Sequence, residues 1–225
     1  MNVLAYIPAR GGSKGIPMKN LAPCAGKSLL QWTVECGRAS ELIDTTVVSS
    51  DDAEILRVGS RLGAECHMRN EEHSSDTSQI EDGLSAFLDI WDAGDNHQFD
   101  AIAILQPTSP QREGWQIDEA IQLLEHADSV VSVVSSHALK WARNGDTSPM
   151  YDIYARPRRQ EMDSFYEENG AIYATTTKSF RATGVRSGGK VALYVMGEAD
   201  RYQIDSPFDL AVVEGILEAR HAAVS

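Results

Sequence analysis

Directly after an apolar opening run, Val3 to Pro8, come Arg10, Gly11, Gly12, Ser13, Lys14 and Gly15, with Lys19 and Asn20 close behind. Glycines let backbone N–H groups approach an anion closely, and Arg10, Lys14 and Lys19 add charge at the same place. A triphosphate is the guest that suits such a loop. The rest of the chain sharpens the point. Its 33 acidic residues outweigh 20 lysines and arginines, for a formal net charge of −13. A surface that acidic excludes duplex nucleic acid and anionic membrane as general partners, so an anionic ligand needs a local basic site. The spacing supplies neither the P-loop G-x-x-x-x-G-K-[ST] nor the dinucleotide G-x-G-x-x-G. On spacing alone, a glycine turn with solvated lysines stays open.

Other chemistry is scarce. No serine carries a nucleophile elbow, and nothing suggests a covalent route. Cys24, Cys36 and Cys66 are odd in number and contain no C-x-x-C pair, which reads as reduced core thiols of a cytosolic protein.

The elements that must position the loop follow from periodicity. "VLAYI", "TTVVSS" at 45–50, a short run at 64–68, "DAIAILQ" at 100–106, "SVVSVVSS" at 129–136, "NGAIYATTT" and "KVALYVM" read as strands. Gly26–Ser40, the acid-capped "DDAEILRVGSRLG", Ser78–Ala93 with a Ser78/Glu81 capping box, Glu113–His126 and Pro207–Ala222 read as helices. Strands separated by helices predict an α/β fold, a Rossmann-like mostly parallel sheet with helices on both faces. Ligands of such sheets bind at the carboxyl ends of the strands, where the loop from Ala9 to Asn20 falls. Residues 138–168 are polar and without a clean period, so they form either a long loop or a protruding arm. The length suits a single domain over 1–225. Residues 2–7 are too few for a signal peptide and no apolar stretch reaches the length of a membrane span, so the expected location is cytoplasmic.

Six strings, in order, carry a resemblance: "IPARGGSKGIPMKN", "IDTTVVSSDDAEI", "MRNEEHSSDTS", "LQPTSPQR", "ENGAIY" and "IDSPFDL". Together they span almost the whole chain and resemble the acylneuraminate cytidylyltransferases, the CMP-sialic acid synthetase family. The resemblance implies transfer of CMP from CTP to a nonulosonic sugar acid with release of pyrophosphate, through direct attack by the sugar's anomeric hydroxyl on the α-phosphorus. It implies that Arg10, Gly11, Ser13, Lys14 and Lys19 hold the triphosphate and that Asn20 lies beside the ribose or phosphates. Arg69, Ser74, Asp76 and Thr77 would contact the cytosine and ribose, although Asp76 and Thr77 read equally as a helix cap. Gln106, Thr108, Ser109 and Arg112 would bind the sugar acid, Arg112 by pairing with its carboxylate. Asn169 and Tyr173 would lie near the sugar pocket; a core role is open for Tyr173. The resemblance also implies a homodimer joined through an arm at about 138–168, in which Arg158 and Arg159 sit, a solvated arginine pair being the alternative. Arg10, Lys19 and Asp205 are the expected catalytic groups.

Two departures stand out. Where the family carries an Asp-Ile-Asp that binds Mg²⁺, this chain has Gln203-Ile204-Asp205, leaving Asp205 as the carboxylate and Gln203 as a neutral ligand at best. Where the family's arm has an arginine two residues before the Asn-Gly, this chain has Glu167.

Overall fold

The computed structural model describes residues 1–13, 15–70, 78–94, 97–144, 146–158, 160 and 165–224. Strand β1, Val3–Pro8, is apolar throughout, and its side chains divide by a period of two. Val3, Ala5 and Ile7 enter one core cluster, while Leu4 and Tyr6 enter another. A strand buried on both faces needs helices on both sides of its sheet, and both layers form.

Helix α1 is Leu29–Ala39, strand β2 Thr45–Ser50, helix α2 Ala53–Arg61 and strand β3 Glu65–Met68. Helix α3, Ile80–Asp92, precedes β4, Ala101–Ile104; helix α4, Gly114–Gln122, precedes β5, Ser129–Ser136. Strand β6, Phe165–Thr176, leads into α5, Thr177–Thr183, then β7, Val191–Met196, and α6, Pro207–Val224. The seven strands lie in the order β7-β5-β6-β4-β1-β2-β3. Six are parallel to one another; β6 runs against both its neighbours, β4 and β5. Residues of α1, α2 and α4 fill one core, and residues of α3 and α5 fill the other. The expected mostly parallel α/β sheet with helices on both faces is present.

Boundaries shifted where local chemistry intervened. The helix expected from Gly26 begins at Leu29, because Pro23–Cys24 and Lys27–Ser28 pair as a tight antiparallel ribbon. Ala25 and Gly26 take positive φ angles of 47° and 83° at its turn, the geometry that matches strand twist. The helix expected from Ser78 begins at Ile80 and is capped by a Gln79/Asp82 box. Glu81 is instead drawn into a two-bond ion pair with Arg186, at 2.7 and 2.9 Å. The irregular stretch 138–168 contains an antiparallel ribbon, Trp141–Asn144 with Asp146–Pro149, and the start of β6. Cys24 and Cys36 are buried thiols, but Cys66 is exposed rather than in the core.

From β1 the chain moves toward one edge of the sheet, to β2, and from β4 toward the other edge, to β5, while β1 and β4 lie side by side. A crevice opens at the carboxyl ends of such a pair.

Candidate active site

Three stretches meet at that crevice: the loop after β1, the loop after β4, and the segment leading into α6. The first is held from below by β2. Ala9 N–H donates to the Ser49 carbonyl at 2.9 Å, and Gly11 N–H donates to Asp51 Oδ1 at 2.8 Å. A side chain at Gly11 would press on Asp52, and one at Gly15 would collide with the Asp205 carbonyl. Both glycines are therefore demanded by close approach. Arg10 and Ser13 are half-buried along this loop.

Lys19 joins the loop to the segment before α6. Its Nζ donates to the Ile204 carbonyl at 2.8 Å and to Asp205 Oδ1 at 2.9 Å. Lys19 is largely covered, with 14% of its side chain exposed, while Asp205 is 76% exposed. The third stretch closes the ring: Ile204 N–H donates to the Thr108 carbonyl at 2.9 Å. Thr108 lies in a turn closed by Ser109 N–H to the Gln106 carbonyl at 3.3 Å, with Pro107 in the position where its fixed φ suits a turn. Gln106 is half-buried, and its amide has no partner among the described residues.

Asp205 does not cap α6. Ser206 and Asp209 do, in a reciprocal box: Asp209 N–H donates to Ser206 Oγ, and Asp209 Oδ2 accepts from Ser206 N–H at 2.8 Å. Ser206 holds the Asp209 carboxyl below the usual range, helped by backbone N–H groups and Lys19. With the cap supplied elsewhere, the Asp205 carboxylate faces outward beside Lys19. What assembles is a cation, an exposed carboxylate and a glycine loop at one sheet edge, suited to a phosphate-rich ligand with a hard cation.

The model of the cytidylyltransferase family matches residues 4–194. The chain belongs to the cytidylyltransferase family. It is 35% identical over 218 residues to N-acylneuraminate cytidylyltransferase B of Danio rerio, covering 93% of this chain and 50% of that one. It is 30% identical over 234 residues to the CMP-N,N'-diacetyllegionaminic acid synthase of Legionella pneumophila, covering 100% of both. The chain thus spans about half the length of the N-acylneuraminate cytidylyltransferases it matches. Its fold is that of the CMP:2-keto-3-deoxy-manno-octonic acid synthetase complexed with CTP, with a TM-score of 0.68 at 17% identity, over 98% of this chain and 100% of that one. The resemblance carried by the six strings is borne out.

Several of the expected contacts face inward instead. Asn20 is buried and donates from Nδ2 to the Arg10 carbonyl at 2.8 Å, tying the loop to itself. Asn169 is fully buried: its Oδ1 accepts from Ser132 Oγ at 2.6 Å and its Nδ2 donates to the Asp200 carbonyl at 2.9 Å. Ser109 Oγ donates to the Asn169 carbonyl at 3.2 Å, so it too serves the frame. Arg112 is 3% exposed and bonds carbonyls, not the crevice. Arg69 is buried against β2, with Nε donating to Ser49 Oγ at 2.9 Å and Nη2 to the Ser49 carbonyl at 2.8 Å. Tyr6 donates its hydroxyl to the same Ser49 Oγ at 2.8 Å, and burial pushes that phenol up.

Tyr173 packs in the core of the α3 face, donating to Glu168 Oε2 at 2.9 Å beneath Arg186, whose guanidinium lies 5.0 Å from the ring centre. Burial, then Glu168, pushes its phenol up to about 12. Gln203 is half-buried and lies over Gly170, where an added Cβ would come within 2.6 Å of its amide. Arg158 is exposed in the coil after the ribbon. Lys14, Ser74, Asp76, Thr77 and Arg159 lie outside the described residues.

Sequence reasoning missed the partners. Glu167 is met by Arg201 at 2.5 Å and by Lys140 at 3.5 Å. The Ser136 hydroxyl, with Arg201 and Lys140, holds its carboxyl below the usual range. The signal was Arg201 itself, two residues before Gln203. The two departures from the family pattern thus lie on one short stretch and its partner, with the charge of one balanced locally.

Proposed function

We propose that this cytidylyltransferase transfers CMP from CTP to a nonulosonic acid and releases pyrophosphate. Family membership supports the nucleotide half. The observation that carries the rest is the junction at Lys19, where the glycine loop, Asp205 and the turn that presents Gln106 and Thr108 come together. Arg10, Gly11, Ser13, Lys14 and Lys19 hold the triphosphate. Their charge stabilises negative charge that builds on phosphoryl oxygens and departing pyrophosphate. Gln106 and Thr108 orient the acid, whose anomeric hydroxyl attacks the α-phosphorus in line. Arg69 with Ser74, Asp76 and Thr77 forms the cytosine and ribose side.

Asp205 fits a role as Mg²⁺ ligand, since its carboxylate is exposed and Lys19 engages only one of its oxygens. Bound there with the triphosphate, Mg²⁺ would neutralise phosphate charge. Gln203, turned onto Gly170, is at most a neutral neighbour. The whole chain forms one nucleotidyltransferase domain and pairs as a cytoplasmic homodimer through residues 138–168. Among the described residues no helix is long and apolar enough to cross a membrane.

The deciding experiment measures pyrophosphate release from CTP over a panel of acids: N-acetylneuraminate, N,N'-diacetyllegionaminate, pseudaminate and 2-keto-3-deoxy-manno-octonate. A nine-carbon acid with CTP is expected to turn over, and ATP, GTP and UTP are expected to fail in place of CTP. Release with the eight-carbon acid alone would move the substrate class. No release with any acid, despite CTP binding, would reduce the protein to a nucleotide binder.

A further inference from the structure

We propose that Arg112 is a positioning residue for the substrate turn, and not a contact to the substrate's carboxylate. Its Nη1 gathers three backbone carbonyls: Gln106 at 2.7 Å, Ser109 at 3.0 Å and Ala171 at 3.2 Å. The first two are the ends of the turn that presents Gln106 and Thr108; the third lies on β6. One cation therefore clamps both ends of that turn to the neighbouring strand. The turn's own closing bond is long, at 3.3 Å, so the clamp supplies what the turn lacks.

The rest of the guanidinium is spent on nothing external. Nε and Nη2 are sealed from solvent with no hydrogen-bond acceptor among the described residues. No ion pair joins Arg112 to a carboxylate among the described residues, and the neighbouring ionisable group is the Cys36 thiol. A buried cation without a counter-charge is costly, and an apolar side chain of similar volume generally serves stability as well or better. Geometry is what the arginine provides. The consequence passes on through Thr108, whose carbonyl holds Ile204 beside the Lys19–Asp205 pair.

The test uses Arg112→Met and Arg112→Lys in the full chain, with two readouts. The first is amide hydrogen exchange, which needs no turnover and so stands even if the proposed reaction fails. Exchange at residues 105–112 and 169–172 is expected to rise at least about tenfold in the methionine variant, with β2 and β3 unchanged, and to recover partly with lysine. The second rests on the cytidylyltransfer reading: the best acid of the panel is compared with its methyl ester. Positioning predicts that KM for the acid rises about tenfold, KM for CTP stays within about twofold, and the preference for acid over ester is kept. Loss of that preference with exchange unchanged would assign Arg112 to the carboxylate and overturn the proposal. Unchanged exchange in both variants would overturn it as well. If Arg112→Met does not fold, Arg112→Lys alone decides by local exchange and the acid-to-ester ratio.

Discussion

Lys19 and Asp205 each take their meaning from the other. Removing a preorganised cation from a phosphoryl-transfer site typically costs about 100-fold or more. Arg10→Ala and Lys19→Ala are each expected to lower kcat/KM for CTP by at least about 100-fold; a loss below about threefold in both would move the phosphates elsewhere. Asp205 has two possible duties, to bind metal and to hold Lys19 in place. Asparagine keeps an acceptor for Lys19 but loses the charge that a hard cation needs. Asp205→Asn is therefore expected to nearly abolish activity with the fold intact, and Gln203→Asp to lower the Mg²⁺ concentration for half-maximal rate. An unchanged Mg²⁺ dependence in both would leave Asp205 as an anchor only. Lys19 was legible in the sequence because cations on an acidic chain are conspicuous. Asn20, Asn169 and Arg112 were not, because a motif says which groups are near a site and not which way they point. Their partners are carbonyls, and any residue can supply one.

Elements were read best where the chain settles its own fate. The strands at 45–50 and 129–136 match to the residue, since each is an apolar or small β-prone run bounded by turn residues. The start of α3 was misplaced because Glu81 answers to Arg186, 105 positions away. The ribbon at Pro23–Ser28 was missed because a two-residue strand has no period to show. The start of α6 invites a test. Asp209's carboxyl is held low in the folded state, so it adds stability above the unfolded value near pH 4 and loses it as pH falls through its folded value. Asp209→Ala should cost roughly 1 kcal/mol at pH 7, a Tm lower by about 2–4 °C. Thermal melts at pH 7 and near pH 3 should show the gap closing at the lower pH; an equal gap at both would mean the carboxylate charge is irrelevant to the cap.

At the scale of the whole molecule, large apolar side chains stand exposed on two segments. Trp141 on the ribbon and Met150, Ile153 and Tyr154 between the ribbon and β6 are exposed, as are Val191, Leu193 and Val195 along the edge strand β7. These side chains are the reason to test the proposed homodimer. Light scattering should give a homodimer at micromolar concentration, and Tyr154→Glu with Leu193→Glu should shift it toward monomer. A fully active monomer would refute the assignment. The resemblance implies an arm at about 138–168; the ribbon there is a local hairpin of four-residue strands too short and polar to show a period, and β7 becomes an edge only through its pairing with β5, distant in the chain. One last consequence comes from the bond between Lys19 and Asp205, which joins positions 186 apart. Closing so long a loop is slow and must await the non-local contacts around it. During synthesis the glycine loop leaves the ribosome early and waits, incomplete, until the final helix emerges. No amino-terminal fragment ending before Asp205 can hold the assembled crevice, so catalytic competence is an all-or-none report that the chain has been made through to that helix.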